Sequence, residues 1–219
     1  MSEEAPYKFT KEGQEQGNSS RDYTGRGYAV YPNGDQYDGQ YVDGVRQGKG
    51  KYVYANGDRY EGDFVNNLKH GVGRLTYKEK GEYYGQWENG LKHGEGTYVY
   101  ANGDSYAGWW QFGHKQGQGS YTYAGSGMKL VGDWEKNQLA EGKWVFPNGT
   151  YFAGRFKNNK PDGEGTWFIN NGNTLPGCYS QTVIPNEDAE DTRLNLKLDW
   201  NSAVSISDSA WEVNAHENV

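Results

Sequence analysis

Three histidines stand at related places along the chain, and their type and spacing come nearest to a metal site. His70 and His93 occupy the same position in two successive copies of a sequence repeat, and His114 lies close to that position in the next copy. A zinc site draws its ligands from Cys, His and carboxylate side chains at a recognisable spacing, and no such set accompanies these histidines. We therefore predict that they are polar loop residues and that the chain binds no metal ion or other cofactor.

Two glycine-rich segments, Gly48-Lys-Gly50 and Gly117-Gln-Gly119, have the general composition of a phosphate-binding loop. They lack the full Gly-x4-Gly-Lys-Ser/Thr spacing, and they stand where strands begin rather than before a helix. The single cysteine, Cys178, has no evident base partner, and no catalytic triad is visible. The sequence therefore predicts no nucleotide site, no catalytic residue and no enzymatic activity.

The charge distribution argues against a nucleic-acid partner. Residues 180–219 hold eight acidic residues against two basic ones, whereas residues 21–179 hold 17 acidic and 18 basic residues. The repeat region is therefore close to neutral, without the basic excess of nucleic-acid-binding proteins. One cysteine excludes an internal disulfide, and neither a signal peptide nor a membrane-spanning run is visible, so we expect a cytoplasmic protein.

The elements that carry these residues come from a repeat of about 23 residues. Six copies run from Tyr37, half a copy precedes them, and the opening of another follows at Leu175. The copies begin at Tyr37, Tyr60, Tyr83, Tyr106, Leu130 and Phe152. A fixed period of this length is typical of a stacked array in which each unit buries its apolar surface against its neighbours.

One copy, residues 60–82, has the pattern of a β-hairpin. Tyr60, Gly62 and Phe64 alternate with polar residues, a polar stretch follows, and Gly73, Leu75 and Tyr77 alternate again. Asn-Gly pairs precede five copies or openings, and we assign them to type I′ turns. The eighth position of each copy is always Gly or Asn, which predicts a positive φ in the hairpin loop. These residues are Gly44, Asn67, Gly90, Gly113, Asn137 and Asn159.

The hairpins predict an all-β fold: a single-layer, twisted antiparallel meander of about fourteen strands. Aromatic residues and repeat glycines share one face, as Tyr83, Gly85 and Trp87 do in the third copy. A glycine leaves room for a ring beside it, so we expect the rings to lie over the glycines along the array.

The repeats resemble MORN repeats. The third copy follows the family pattern as Tyr83-Tyr-Gly85-Gln-Trp87-Glu-Asn-Gly90-Leu-Lys-His93-Gly94-Glu-Gly96, and the resemblance covers residues 23–179. Leu130 and Ala140 depart from the pattern, and the short fifth loop predicts a kink or a looser array there.

More narrowly, the chain resembles the MORN-repeat subunits of the radial spoke head of motile cilia and flagella. That resemblance implies a non-catalytic structural scaffold of the ciliary or flagellar axoneme that helps to transmit mechanical signals. It implies partners among the other radial spoke head proteins, with a second MORN-repeat subunit and indirect or transient central-pair contacts as further candidates.

The chain divides into three predicted segments: a flexible N-terminal segment (1–20), the repeat array (21–179) and an acidic tail (180–219). Within the tail, residues 194–200 alternate as a strand would, with Leu194, Leu196, Leu198 and Trp200 on one side. This strand would join a partner's sheet edge or its own array. A disordered tail is the alternative.

We predict a protein-interaction scaffold whose uncovered aromatic face binds neighbours. The candidate partner-binding residues are Tyr60, Phe64, Tyr83, Trp87, Tyr98, Tyr100, Tyr106, Trp110, Leu194, Leu196, Leu198 and Trp200. The rival hypothesis is a peripheral module that binds anionic lipids, which needs clustered basic residues. Lysines such as Lys69, Lys92 and Lys115 are spread among acids in the sequence, so a membrane partner is not expected.

Overall fold

The computed structural model describes residues 6–12, 16–184 and 195–203. In these residues the chain forms no helix and builds one antiparallel sheet of seventeen strands, rather than the expected fourteen or so, and the all-β fold is confirmed. The strands are β1 Lys8–Lys11, β2 Gln16–Gly17, β3 Gly25–Val30, β4 Gln36–Val42, β5 Val45–Val53, β6 Arg59–Val65, β7 Leu68–Tyr77, β8 Gly81–Glu88, β9 Leu91–Tyr100, β10 Ser105–Gln111, β11 His114–Thr122, β12 Lys129–Glu135, β13 Gln138–Val145, β14 Tyr151–Lys157, β15 Lys160–Phe168, β16 Thr174–Ile184 and β17 Asn195–Ser202.

The sheet is an open meander. From β3 to β17 each strand pairs with the next one in the sequence, and β1 pairs with both β2 and β3 at the opposite end. Each copy of the repeat supplies two strands, and the copies add to the sheet in sequence order. The single-layer arrangement of tandem hairpins is therefore confirmed.

The hairpin loops within the copies are two-residue turns. In the third copy Asn89 and Gly90 both adopt left-handed conformations, with φ of 50° and 83°, and the other five loops do the same. Two positive φ values in a two-residue loop define the type I′ turn, whose twist matches that of the paired strands. The prediction of a positive φ at the eighth position is therefore confirmed.

The Asn-Gly pairs between copies form a different turn from the one predicted. At the first of them only Gly34 has a positive φ, and its N–H donates to the carbonyl of Tyr31 at 2.9 Å. The N–H of Tyr31 in turn donates to the carbonyl of Asp35 at 2.8 Å. This is a type I turn followed by a left-handed glycine, so the type I′ assignment is wrong here. The Asn33 side chain supports the turn by accepting a hydrogen bond from the N–H of Asp35.

Part of the N-terminal segment forms a strand, although residues 1–20 were expected to be flexible. Residues 8–11 form β1, and Phe9 is 1% exposed and packs edge to face on Tyr41 at 5.1 Å. Phe9 covers the end of the aromatic row, so this short strand buries apolar surface that the first hairpin would leave open.

The tail strand joins its own array. β17 pairs with β16 along eight residues, so of the two predicted edges the structure selects the one in the same chain. Leu194 lies outside the described residues, as do the remaining parts of the two terminal segments, residues 1–5, 13–15, 185–194 and 204–219.

Candidate protein-binding face

One face of the sheet carries the first aromatic residue of each copy, and we call it the ring face. Tyr83 is fully buried there although no second layer covers it among the described residues. Its ring meets Trp87 of its own copy edge to face at 5.2 Å and Trp110 of the next copy at 5.3 Å. Neighbouring rings therefore cover one another, each pair adding roughly 0.5–1.5 kcal/mol beyond area burial.

The same contacts repeat without interruption through four copies. The continuous run of edge-to-face rings is Tyr41, Tyr37, Phe64, Tyr60, Trp87, Tyr83, Trp110, Tyr106 and Trp134. We call this run the ring ladder.

Glycine makes the ladder sterically feasible. Gly85 and Gly96 lie opposite each other on β8 and β9, directly beneath the ring of Tyr83. A Cβ added to Gly96 would clash with the Tyr83 hydroxyl and ring, at separations that non-bonded atoms do not tolerate. The prediction that rings lie over glycines is therefore confirmed.

Most polar atoms of the ladder have partners, and the buried hydroxyl of Tyr41 is an exception. The Tyr83 hydroxyl donates to the carbonyl of Gln86 at 2.9 Å, beside a β-bulge in the hairpin. The indole N–H of Trp87 donates to the carbonyl of Gly73 in the preceding copy at 3.1 Å, and Trp110 bonds Gly96 in the same way. These bonds tie each copy to the one before it.

Burial keeps the tyrosine hydroxyls protonated. It raises the pKa of Tyr83 and Tyr106 well above the ordinary value of 10.0, and it raises the pKa of Tyr77 and Tyr100 to about 12. These hydroxyls therefore remain neutral donors into the alkaline range in which an ordinary tyrosine ionises.

A row of cations lies among the rings, one in each of four copies. Arg46, Lys69, Lys92 and Lys115 occupy the tenth position of their copies and pair across the hairpin with the ladder residues Tyr41, Phe64, Trp87 and Trp110. We call these four residues the cation row.

Each lysine of the row is enclosed by rings. The Lys92 ammonium lies 4.5 Å from the ring centre of Trp110, 4.7 Å from that of Tyr98 and 5.4 Å from that of Tyr83. The Lys115 ammonium lies 4.6 Å from the ring centre of Trp134. These distances fall within the range of cation–π attraction.

Within the described residues no carboxylate forms an ion pair with the three lysines, although Asp58 acts electrostatically on Lys69. Among the residues that the structure describes, the ammonium groups of Lys92 and Lys115 make neither an ion pair nor a hydrogen bond, and Lys69 reaches only the Tyr54 hydroxyl at 3.5 Å. Burial lowers the pKa of Lys92 to about 8, with further lowering by the charges of Lys69 and Lys115. Burial likewise lowers the pKa of Lys115 to about 8.

On the opposite face of the sheet, which we call the outer face, two lysines form ion pairs with carboxylates. Lys49 pairs with Asp63 at 2.8 Å and Lys51 with Glu61 at 2.8 Å, in cross-strand positions of β5 and β6. Exposed pairs of this kind contribute little stability, but they leave no net local charge. These two outer-face lysines therefore have carboxylate partners that Lys92 and Lys115 on the ring face do not have among the described residues.

The comparison with protein families agrees with this geometry. The MORN repeat family matches residues 37–59, 60–81, 83–105, 106–128 and 152–174, together just over half of the chain. The chain is a MORN-repeat protein. As such it is a repeat-based scaffold or binding module, a class that is generally non-catalytic.

The other two comparisons add little. No curated protein matches this MORN-repeat chain. Among solved structures it is similar to the SAS-4 (dCPAP) TCP domain in complex with a Proline Rich Motif of Ana2 (dSTIL) of Drosophila melanogaster, at 16% identity and a TM-score of 0.45. That alignment covers 71% of this chain and 87% of the other, and a likeness of this degree establishes neither a shared fold nor a shared partner.

The fifth MORN copy, which the family match skips, is also where the ladder ends. Leu130 replaces the first tyrosine and Leu139 replaces the cation, and both are buried. No ring contact joins Trp134 to Phe152 or Phe156 within the described part of the chain. Strand pairing nevertheless continues through β12, β13 and β14, so the predicted kink does not interrupt the sheet.

Most of the predicted partner-binding rings are buried and pack within the MORN array. Tyr60, Tyr83 and Tyr106 are 0% exposed. Phe64, Trp87, Trp110 and Tyr98 are also buried, whereas Tyr100 is half-buried beside Tyr98. Side chains covered this completely hold the repeats together and offer almost no surface to another protein.

The predicted tail residues lie on the sheet's own C-terminal edge. Trp200 packs on Tyr179 at 4.8 Å and on Phe152 at 6.0 Å, closing the ring face at that end. Leu196 and Leu198 are half-buried on the same strand. These contacts account for the alternation in β17 without a partner.

The three histidines lie in β7, β9 and β11, so the prediction that they are loop residues is wrong. His93 contacts Glu88 at 3.2 Å and the ring of Phe112, and His114 bonds the Asn137 side chain. The residues with described positions contain no cluster of His, Cys, Asp and Glu that could hold a metal ion. Gly50 and Gly119, from the two glycine-rich segments, lie under tyrosine rings inside β5 and β11.

The cation row is a feature that the sequence did not lead us to expect. Lys69, Lys92 and Lys115 are interspersed with acidic residues along the chain, but a spacing of one repeat places them in line on one face. The signal was present as a basic residue at the tenth position of four successive copies. In the part of the chain with described coordinates, no helix is long and apolar enough to cross a membrane.

Proposed function

We propose that this chain is a non-catalytic structural scaffold of the radial spoke head in the axoneme of motile cilia or flagella. It binds neighbouring spoke-head proteins and passes mechanical contact between them. One observation carries the proposal: the seventeen strands form a single layer, and no second layer covers either face within the described residues. At about 4.8 Å per strand, such a sheet offers roughly 80 Å of two-sided surface, more than a small-molecule site would need.

The outer face supplies the contacts that the buried rings cannot. Tyr84 is 53% exposed and Trp109 is 51% exposed, and both point away from the ladder residues beside them in sequence. Exposed aromatic side chains are typical anchors of protein interfaces. Tyr84 and Trp109 are better residues to test than the candidate Trp87, because loss of the buried Trp87 ring would damage the fold itself.

The test is retrieval of partners from solubilised axonemes by the tagged full chain. We expect the wild-type chain to retrieve spoke-head proteins and the Tyr84→Ser/Trp109→Ser variant to retrieve less. Tyr28→Ser is the matched control, since Tyr28 is exposed but lies near the N-terminal end of the sheet. Recovery of no axonemal protein by the wild-type chain, or localisation of a fluorescent fusion away from cilia, would refute the proposed role.

Binding to anionic membranes is less well supported. The central residues of the hairpin loops, which form the tips of the sheet edge, are mainly Asn, Asp and Gly in the first three copies. The unpaired lysines are instead recessed among rings, where a flat bilayer surface reaches them poorly.

A further inference from the structure

The cation row indicates what the ring face binds. This inference rests on the proposed scaffold function. Lys92 and Lys115 are half-buried cations without a counter-ion among the described residues. Arg46 completes its bonds only in part: its guanidinium bonds Tyr31 and Asn67, but its Nε has no hydrogen-bond partner. Such groups are costly to keep buried unless an acceptor joins them.

The carboxylates that act on the cations and rings of this face already have hydrogen-bond donors. Asp58, which acts electrostatically on Lys69, accepts hydrogen bonds from the N–H of Lys78 and from the Asn56 side chain. Asp104 accepts hydrogen bonds from the Tyr121 hydroxyl at 2.7 Å and from the N–H of Ala124 at 2.8 Å. Asp35 accepts the equivalent bonds from Tyr52 and Ala55. Burial raises the pKa of the Asp35 and Asp104 carboxyls, but the hydrogen bonds outweigh it and lower the pKa overall. These side chains stay ionised and engaged, so the acceptor for the lysines must come from elsewhere.

The spacing of the row defines the shape of that acceptor. Successive cations are two strands apart, which corresponds to roughly 9.6 Å. An extended chain advances about 3.3 Å per residue, and a polyproline II segment about 3.1 Å, so three residues cover the same distance. In polyproline II every third side chain also points the same way, since that helix has three residues per turn.

We propose that the ring face from Arg46 to Lys115 binds an extended acidic segment of a partner protein that carries Asp or Glu at every third position. The carboxylates bind the cation row, and the half-buried rings beside it, such as Tyr100 and Tyr121, contact the intervening residues. The site ends where the cations end, at Leu139 in the fifth copy and at Tyr23 in the preceding half copy.

The acidic segments of this chain fit the site poorly. The acids of residues 185–194 lie outside the described residues and stand in the sequence between β16 and β17, the last two strands of the sheet. The nearest lysine of the cation row, Lys115, lies on β11, five strands or roughly 24 Å from β16. The acids of residues 204–219 stand at positions 208, 212 and 217, which are four and five residues apart.

The experiment measures binding of labelled synthetic peptides to the full chain by fluorescence anisotropy at low salt. The probe is a twelve-residue peptide of four Glu-Pro-Ser units. One control peptide carries the same four glutamates at every fourth position, and another carries Gln in place of Glu. We expect the third-position peptide to bind about tenfold more tightly than the fourth-position peptide, because only it meets all four cations.

Two matched double variants locate the site. Lys92→Leu/Lys115→Leu converts the row to the residue type that the fifth copy already accommodates at this position. Lys49→Gln/Lys51→Gln removes the same charge from the outer face. We expect the first variant to lose affinity about tenfold or more and the second to retain it, with circular dichroism and the unfolding midpoint confirming that both are folded.

Equal affinity for the two spacings, or an equal loss in the two variants, would overturn the proposal. Tighter binding of a peptide of residues 204–219, or of anionic vesicles, through Lys92 and Lys115 would overturn it as well. If peptide binding fails while the chain still retrieves spoke-head proteins, this inference fails and the scaffold stands. If the peptide binds and no spoke-head protein is retrieved, the ring-face site stands and the proposed location fails.

Discussion

The first four copies, residues 37–128, and the fifth copy differ in their interiors while their strands pair alike. Tyr83 of the third copy lies between two indoles over a glycine pair, whereas Leu130 at the same position contributes no ring to the ladder. The sheet continues through both. Strand pairing and turn chemistry therefore suffice to extend the meander, and the ring ladder adds packing and cation sites that a copy can lose separately.

Removal of a ring should give the largest difference in free energy of unfolding between the ladder copies and the fifth copy. We expect Tyr83→Ala to lower the free energy of unfolding by about 3–5 kcal/mol, because a buried ring and its two edge-to-face contacts are lost. Leu130→Ala should cost less, about 2–3 kcal/mol, since it removes a smaller side chain that makes no edge-to-face contact. Urea unfolding followed by tryptophan fluorescence measures both, and equal costs would remove the distinction between the two regions.

Substitution of a glycine beneath a ladder ring should reduce the free energy of unfolding by a somewhat smaller amount. We expect Gly96→Ala to destabilise by about 1–3 kcal/mol, because its Cβ would displace the ring of Tyr83. Gly125→Ala is the control and should stay within about 0.5 kcal/mol, since nothing lies within 4 Å of its added Cβ.

The same substitution in a Tyr83→Leu background separates ring displacement from a backbone effect. All three atoms nearest to the Gly96 Cβ belong to the tyrosine side chain. The double mutant should therefore recover most of the cost, and an undiminished cost would place the strain in the backbone.

Local opening should distinguish the regions in the unmutated chain. Amide hydrogen exchange should show that β12 and β13 open at a free energy about 1 kcal/mol lower than β8 and β9, because the two ring-to-ring contacts of a ladder tyrosine are missing at Leu130. Equal protection of the two pairs of strands would show that the ladder does not govern local stability.

The cation row should make the stability of the fold depend on pH. In the folded chain the pKa of Lys92 and Lys115 is about 8, against 10.5 for an ordinary lysine. Between these values the unfolded chain binds more protons, so the free energy of unfolding should rise with pH. Above pH 10 it should fall again, because unfolded tyrosines ionise while Tyr77 and Tyr100 keep their protons to about pH 12.

Urea midpoints at closely spaced pH values test this shape. The rise should flatten in Lys92→Leu/Lys115→Leu, which makes two copies resemble the fifth. A rise of unchanged size in that variant would mean that other groups cause it.

The sequence was most informative where one residue type was required at one backbone position. The Gly-or-Asn rule at the eighth position predicted the left-handed residue of every hairpin loop. Asn-Gly was ambiguous, because the pair fits a type I′ turn and also a type I turn followed by a left-handed glycine. The choice depends on how many residues the paired strands leave for the loop, which no single pair reveals.

The binding face was harder to predict because burial here is a property of neighbouring copies. Trp87 covers Tyr60 of the preceding copy as well as Tyr83 of its own, so one repeat read alone leaves its ring exposed. Phe9 was missed because it closes the row from outside the periodic region. The cation row was missed because neighbours in space are a full repeat apart in sequence.

The regular spacing of the cation row also bears on how a bound partner would respond to load. Four similar sites in line give a matching ligand more than one position of nearly equal energy, separated by one hairpin or roughly 10 Å. Under tension such a ligand can shift by one hairpin and remain attached at the sites that still overlap. Beyond Leu139 on one side and Tyr23 on the other the row offers no cation, so each further step in that direction would cost the ligand another contact.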